Sequence, residues 1–160
     1  PRGVDVVETP TAESMLDAAL AYSDADLVLM AAAVADYRPA ERIDTKRRKD
    51  EATWRLDLEP TADVLQSLGE RRVNGQVLVG FSAETGADGL ARARAKLERK
   101  RVDLVVYNDV ARDDIGFDAE DNEVVLVTAF GERRVPKAPK DRIAATIVDT
   151  AEELLRERTR

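Results

Sequence analysis

The chain has 160 residues, 44% hydrophobic, 36% charged and 4% aromatic, with a formal net charge of −7. That balance fits one globular domain with a core built mainly from Ala, Val and Leu, and the acidic sum argues against a general nucleic-acid binder. Cysteine and histidine are both absent, which excludes disulfides, thiol nucleophiles, thiolate or histidine metal centres and Ser-His-Asp triads.

In chain order, Val4–Val7 (VDVV) reads as a short strand closed by Thr9-Pro10. Thr11 or Ser14 can cap a helix running to about Tyr22, with Met15, Leu16, Ala19 and Leu20 on its inner face. Leu27 to Ala35 carries no polar residue; it is too short to span a membrane and long enough for one buried strand. It ends at Asp36-Tyr37-Arg38-Pro39, where proline forbids simple continuation. A basic segment follows with Arg42, Lys46, Arg47, Arg48 and Lys49, and its composition over about residues 38–52 suits a flexible flap. Trp54 to Leu58 alternates apolar and polar as a half-buried strand does, and Thr61 precedes a short helix with Val64, Leu65 and Leu68 inward.

Gln76 to Phe81 is the next buried strand, and Ser82 to Gly86 leads out of it. A helix runs from about Asp88 to Lys100 with Leu90, Ala93 and Leu97 along one stripe. Val102 to Tyr107 is a further strand, ending at Asn108-Asp109. An acidic loop over Ala111–Asn122, containing Gly116, leads to a hairpin of Val124–Thr128 and Arg133–Val135 around Gly131. Ile143 to Leu155 closes the chain as a helix. Strands alternating with helices imply βαβ units. The expected fold is α/β: a single-domain, Rossmann-like three-layer sandwich with a mostly parallel sheet and an appended antiparallel hairpin.

In such a sheet, binding residues gather beyond the carboxyl ends of the strands. Asp36, Phe81 through Thr85, and Asn108-Asp109 each follow a buried strand and should share that edge. Lys96 and Lys100, four residues apart, lie on one helix face; composition alone favours a solvated basic face, with Arg92, Arg94, Arg99 and Arg101 nearby. Neither GxGxxG nor GxxxxGKS occurs. The residues by themselves thus indicate an α/β anion- or nucleotide-binding domain.

Four stretches in order carry a more specific likeness: AAAVADYRP at Ala31–Pro39, the lysine loop, VGFSAET at Val79–Thr85, and ARAKLERKRVDLVVYND at Ala93–Asp109. Together with GFDAEDNEVVLV at 116–127 they resemble the phosphopantothenate–cysteine ligase family, in its bacterial CTP-dependent form. The resemblance implies a ligase of coenzyme A biosynthesis that activates 4′-phosphopantothenate as an acyl-cytidylate with CTP and Mg²⁺, and then joins it to cysteine. It implies a homodimer, with the Val124–Val135 hairpin as the expected interface, and fusion to or association with a flavin-dependent decarboxylase. It also implies that Met30, Ala31, Ala32 and Asp36 contact the nucleotide and that Lys46 is the catalytic flap lysine. By the same likeness Ala62, Asp63, Val64 and Leu65 line the nucleotide through their backbone, Phe81 packs at the site, and Lys96 and Lys100 bind phosphate. No metal ligands are implied.

The family's Lys-Ile-Lys-Lys flap reads Lys46-Arg47-Arg48-Lys49 here, and its Asn-Pro-Asp or Thr-Pro-Asp reads Thr61-Ala62-Asp63. Its Gly-rich opening and its Ser-Asn-Arg-Ser-Ser-Gly-like stretch have no counterpart in these 160 residues. A chain truncated at its amino end is the expectation. No signal-peptide pattern or transmembrane run is visible, so no membrane contact and a cytoplasmic location are expected. The competing reading is a generic nucleotide-binding module without ligase activity of its own. The isolated chain should bind CTP weakly and show no turnover of CTP, phosphopantothenate and cysteine; robust product formation would overturn that expectation.

Overall fold

The computed structural model describes residues 3–41, 43–46, 48–49, 53–111 and 119–158. Arg42, Arg47 and Gly116, named above, lie outside them, as does most of the expected acidic loop. Helix α1 (Ala12–Ala21) leads into strand β1 (Leu27–Met30), a short ribbon of β2 (Tyr37–Pro39) and β3 (Leu58–Pro60), and helix α2 (Val64–Glu70). Then come β4 (Val77–Glu84), α3 (Gly89–Lys100), β5 (Leu104–Asp109), β6 (Asp121–Thr128), β7 (Gly131–Pro139) and α4 (Lys140–Arg158).

Five strands form the main sheet in the order β1-β4-β5-β6-β7, and β2-β3 form a separate antiparallel pair. The first three run parallel: Leu27 to Met30 lie opposite Val77 to Gly80, and Val79 to Glu84 opposite Leu104 to Asp109. β6 and β7 then add as an antiparallel hairpin. Alternation along β4 splits the core in two. Val77 and Val79 face α4 through Ile143, Ile147 and Ala151. Leu78 faces α2 and α3 through Val64, Leu65, Leu68, Ala93 and Leu97, with α1 packed alongside. Helices therefore cover both faces, which makes β4 and β5 read as nearly continuous apolar runs. The expected three-layer α/β sandwich with its appended hairpin is the fold observed.

Several elements differ from their sequence pattern. Val4, Val6 and Val7 form no strand and are exposed, because alternation alone supplies no neighbouring ladder. The run Leu27–Ala35 is a strand only to Met30; β1 is an edge strand with Val28 and Met30 packed on one face and Leu27 on the other, while Leu29 is left exposed. The alternating Trp54–Leu58 is coil up to its last residue, where β3 begins. Asp63, not Thr61, caps α2 by accepting from the Gln66 N–H at 2.9 Å. Thr61 instead donates its hydroxyl to the Ala35 carbonyl. Thr11 and Ser14 do not compete for the start of α1: they form a reciprocal capping box, each hydroxyl accepting from the other's backbone N–H.

Helix α2 lies tightly against the end of α3. A Cβ on Gly69 would sit 2.1 Å from the Lys100 carbonyl oxygen, a rigid backbone atom. α3 ends there because Arg101 adopts the left-handed conformation (φ 53°), while the Val102 N–H reaches back to the Leu97 carbonyl at 3.1 Å. In an open helix, Ala in place of Gly gains about 1 kcal/mol; forcing atoms into a packed interface costs about 1–3 kcal/mol, occasionally more. Here the clash dominates. Gly69→Ala should lose roughly 2 kcal/mol in urea unfolding relative to the parent, and equal stability would show that α2 can move off α3.

Candidate functional site

The site grows from one mismatch in strand length. β1 stops at Met30, opposite Gly80, whereas β4 runs on to Glu84. Backbone groups on successive strand residues point to alternate neighbours. The Val77 N–H meets the Asp26 carbonyl on the β1 side, so Phe81, four residues on, also points that way, beyond the last β1 pair. Its carbonyl accepts from Lys96 Nζ at 2.5 Å. A lysine from α3 thus fills a notch at the carboxyl end of the sheet.

Long helical side chains lean toward the helix amino terminus, and α3 begins at the carboxyl edge, so Lys96 and Lys100 both reach toward the notch. Lys100 is nearly buried, with 7% of its surface exposed. It pairs with the Asp63 carboxylate and donates to Gln66 Oε1 at 3.2 Å. Asp63 therefore caps α2 and neutralises Lys100 at once. Burial raises the Asp63 pKa, but the Lys100 hydrogen bond, the Gln66 N–H and the charges of Lys100 and Lys96 outweigh it and hold the carboxyl below its ordinary range. Burial pushes the Lys96 ammonium the other way, below the usual lysine range; Glu84 and then Asp63 oppose that, while Lys100 and Arg99 add to it.

The strand-end loop is tied to the same corner. The Asp36 carbonyl accepts from the Thr61 N–H at 2.9 Å, and the Thr61 hydroxyl bonds Ala35, two residues before Asp63. Phe81 and Lys96 meet at the notch, and Asp63 pairs with Lys100 beside it. Ala31, Ala32, Asp36 and Ala62 are exposed, and Met30, Ala31 and Ala32 line a cavity with α1 rather than with the two lysines. Val64 and Leu65 are core residues, 2% and 7% exposed, so only their backbone can face a ligand. Lys46 stands apart, exposed on the segment between β2 and β3. That segment is closed at its base by the Ala40 N–H to the Asp57 carbonyl at 2.9 Å, and by Arg38, which bonds Glu59 at 2.7 Å and also pairs with Glu13. Beneath it is a cavity of about 850 Å³, lined by Ile43, Trp54, Leu56, Tyr37 and Arg38 among others. A second, of about 500 Å³, is lined in part by Met30, Ala31 and Ala32.

The arrangement can bind a polyanion: two ammonium groups, one half-buried and one nearly buried, face an open strand end. Among the described residues no group of three carboxylates gathers, so they offer no cage of their own to a divalent cation. Sequence reasoning missed the pair of Glu84 and Arg92 that adjoins Lys96. The signal was available in the spacing, since Arg92, Lys96 and Lys100 recur every four residues. Asp63→Asn keeps a competent cap but leaves Lys100 without its carboxylate. Breaking a fully buried pair costs about 3–5 kcal/mol; Asp63 is half exposed, so a loss of about 1–2 kcal/mol at pH 7 is expected. Because the folded pKa is depressed, the pair's contribution is present above the carboxyl's ordinary 3.8 and is lost as pH falls through the lower folded value. Urea titrations of both proteins should show the stability gap closing below that pH.

The family model for the DNA/pantothenate metabolism flavoprotein C-terminal domain matches residues 1–155. The chain is 40% identical over 136 residues to the coenzyme A biosynthesis bifunctional protein CoaBC of Bacillus subtilis, covering 84% of this chain and 33% of that protein. It is 36% identical over 160 residues to the Vibrio vulnificus CoaBC, covering 97% and 39%. Among solved structures, the C-terminal domain of a CoaBC superposes with TM-score 0.78 at 31% identity, over 98% of this chain and 71% of that one. The chain thus spans well under half the length of these two curated relatives.

Proposed function

The chain belongs to the family of DNA/pantothenate metabolism flavoprotein C-terminal domains, and from that premise we propose that it is the ligase part of a coenzyme A biosynthesis protein. The substrates are CTP, 4′-phosphopantothenate and cysteine. The observation that carries the reading is the notch itself, where Lys96 and Lys100 are held at the carboxyl end of β4, together with a family match over nearly the whole chain.

In this reading the triphosphate lies along Lys96 and Lys100, with Met30–Ala32, Asp36, the Ala62–Leu65 backbone and Phe81 around the nucleotide. The phosphopantothenate carboxylate attacks the α-phosphorus, an acyl-cytidylate forms, and pyrophosphate leaves. The cysteine amine then attacks the acyl carbon, CMP departs, and the amine proton is released as the amide forms. Negative charge builds on the phosphorus oxygens during the first step, and preplaced cations stabilise it without reorganisation. Lys46, carried by the segment between β2 and β3, supplies the mobile cation. Mg²⁺ would be held by the triphosphate oxygens.

Burial holds the Lys96 pKa below the usual lysine range, and a bound anion would offset that desolvation, which favours a charged ligand over a neutral one. The alternative, a nucleotide-binding module without ligase activity, shares the notch but needs no role for Lys46. Thermal-shift titration with CTP, ATP, UTP and NAD, each with Mg²⁺, ranks the ligands, because stabilisation follows RT ln(1 + [L]/Kd). CTP should stabilise most; preference for NAD would overturn the proposal. Lys96→Ala should weaken CTP binding roughly 10- to 100-fold, the value of one charge-assisted hydrogen bond. In a protein competent for turnover, Lys46→Ala should lower kcat with little change in KM, and unaltered kcat would favour the binding module.

A further inference from the structure

Gln66, on the first turn of α2, is bound through its backbone and through both ends of its side chain. Its backbone N–H donates to Asp63 Oδ1 at 2.9 Å. Its amide nitrogen donates to Glu70 Oε1 at 2.9 Å, one turn further on, and its amide oxygen accepts from Lys100 Nζ at 3.2 Å. An ionised carboxylate can only accept and an ammonium can only donate, so these neighbours leave the amide a single orientation. The other carboxylate oxygen of Asp63 pairs with the same ammonium. Asp63, Gln66 and Lys100 thus form a closed ring of hydrogen bonds where α2 meets α3. The two helices hold that ring at a fixed width, because Gly69 rests against the Lys100 carbonyl.

An ammonium carries three N–H donors. Asp63 and Gln66 take two from Lys100, both on the α2 side, and among the described residues no group takes the third. With Asp63 alone, the ammonium could swing on its flexible stem and still keep its ion pair. A second acceptor stops that motion and gives the third N–H one direction. The chemical type of this acceptor matters as well. Lys100 and Asp63 already cancel in charge, so a second carboxylate on the ammonium would make the corner negative and repel a phosphate. An amide oxygen holds the ammonium and adds no charge. Glu70 is exposed, and its carboxylate bonds the amide rather than the ammonium.

We propose that Gln66 is a positioning residue for anion binding: its amide, oriented by Glu70, fixes Lys100 so that the third N–H meets a phosphate oxygen of a nucleoside triphosphate. This rests on the reading of Lys100 as a phosphate ligand. Gln66 acts through Lys100 rather than on the substrate. It follows directly on Ala62–Leu65, which in the ligase reading lines the nucleotide, so one short stretch serves both the nucleotide and its phosphates.

The test separates this from a strap that merely holds α2 to α3. Gln66→Met keeps the length and the helix propensity of the side chain and removes the acceptor. In the unliganded protein the two Lys100 Hε protons, held in a fixed setting, should resonate apart in carbon-edited NMR spectra assigned through Lys100→Arg. Gln66→Met should merge them. Titration with CTP and Mg²⁺ should show affinity roughly 3- to 10-fold weaker in Gln66→Met, the coupling usual between neighbours in one hydrogen-bond network. In a Lys100→Met background the same substitution should weaken CTP binding no further, because its effect runs through that ammonium. Gln66→Glu, which keeps the acceptor and adds a charge, should keep the Hε signals apart and still bind CTP more weakly than the parent. If Gln66→Met does not fold, Glu70→Ala carries the test by freeing the amide, again with weaker CTP binding expected. Unchanged CTP affinity in the folded variant, or equal losses with and without Lys100, overturns the proposal. A parent protein that binds no CTP would refute the functional reading instead, and the Hε signals would still decide whether Gln66 fixes Lys100.

Discussion

A single unmet hydrogen bond organises the carboxyl edge of this sheet. A strand that outlasts its neighbour exposes carbonyl groups that need donors, and β4 outlasts β1 from Phe81 onward. Lys96 supplies the donor, and the rest of the corner follows from that choice. Bringing an ammonium there places Lys100 beneath α2, where it must be paired, and Asp63 pairs it while capping the helix. The close approach of Gly69 to the Lys100 carbonyl fixes the height at which α2 rides on α3. Secondary structure, packing and charge therefore share the same few residues.

The opposite edge of the sheet is closed. Asp103, its side chain 8% exposed, accepts from Arg72 at 2.6 Å, from Arg158, and from the Leu78 N–H at 2.9 Å. Arg72 and Arg158 also donate to the Gln76 carbonyl, at 2.7 and 2.6 Å, and the Gln76 amide donates to the Ser23 and Ala25 carbonyls. This network locks the end of α4 and the turn before β1 to the amino ends of β4 and β5. Charge-assisted bonds of this kind are individually worth about 1.5–3 kcal/mol, and among the described residues no buried side-chain nitrogen or oxygen lacks a partner. The amino edge uses its charges for internal pairing, whereas at the carboxyl edge Lys96 donates to a neutral carbonyl.

The central elements were legible because two independent signals agreed in each. Val77–Gly80 is a continuous apolar run buried on both faces, and Ala93 and Leu97 recur at helical spacing along the buried side of α3. Legibility failed where a residue's state depends on a partner far away in sequence. Val4–Val7, and Ala33 and Val34 after β1, have the composition of strands but no ladder to join. Thr61 and Asp63 are both good caps by residue type; Thr61 is diverted because Ala35 needs a donor. Asp36 and Phe81 followed from their places after buried strands, whereas Met30–Ala32, Asp63 and the phosphate role of Lys96 and Lys100 came from a family likeness, since composition alone read both lysines as solvated. Burial of Lys100 reverses that reading on physical grounds.

The separation of Lys46 from the other lysines is the remaining step. Lys96 and Lys100 are held by acceptors inside the fold, so their positions are set before a ligand arrives and their ordering entropy is lost on folding. Lys46 is exposed on a segment anchored at its base by Arg38, Glu59 and Glu13, and any order it gains on contact must come from the ligand. In the ligase reading proposed above, a site that divides its cations in this way would bind the anion with the fixed pair and reserve the third charge for the reaction. That division uses binding energy where it changes the barrier most, because an interaction completed only as charge develops raises the rate without deepening the bound ground state. The short β1, the capped α2 and the row of cations on α3 supply the fixed half of that arrangement.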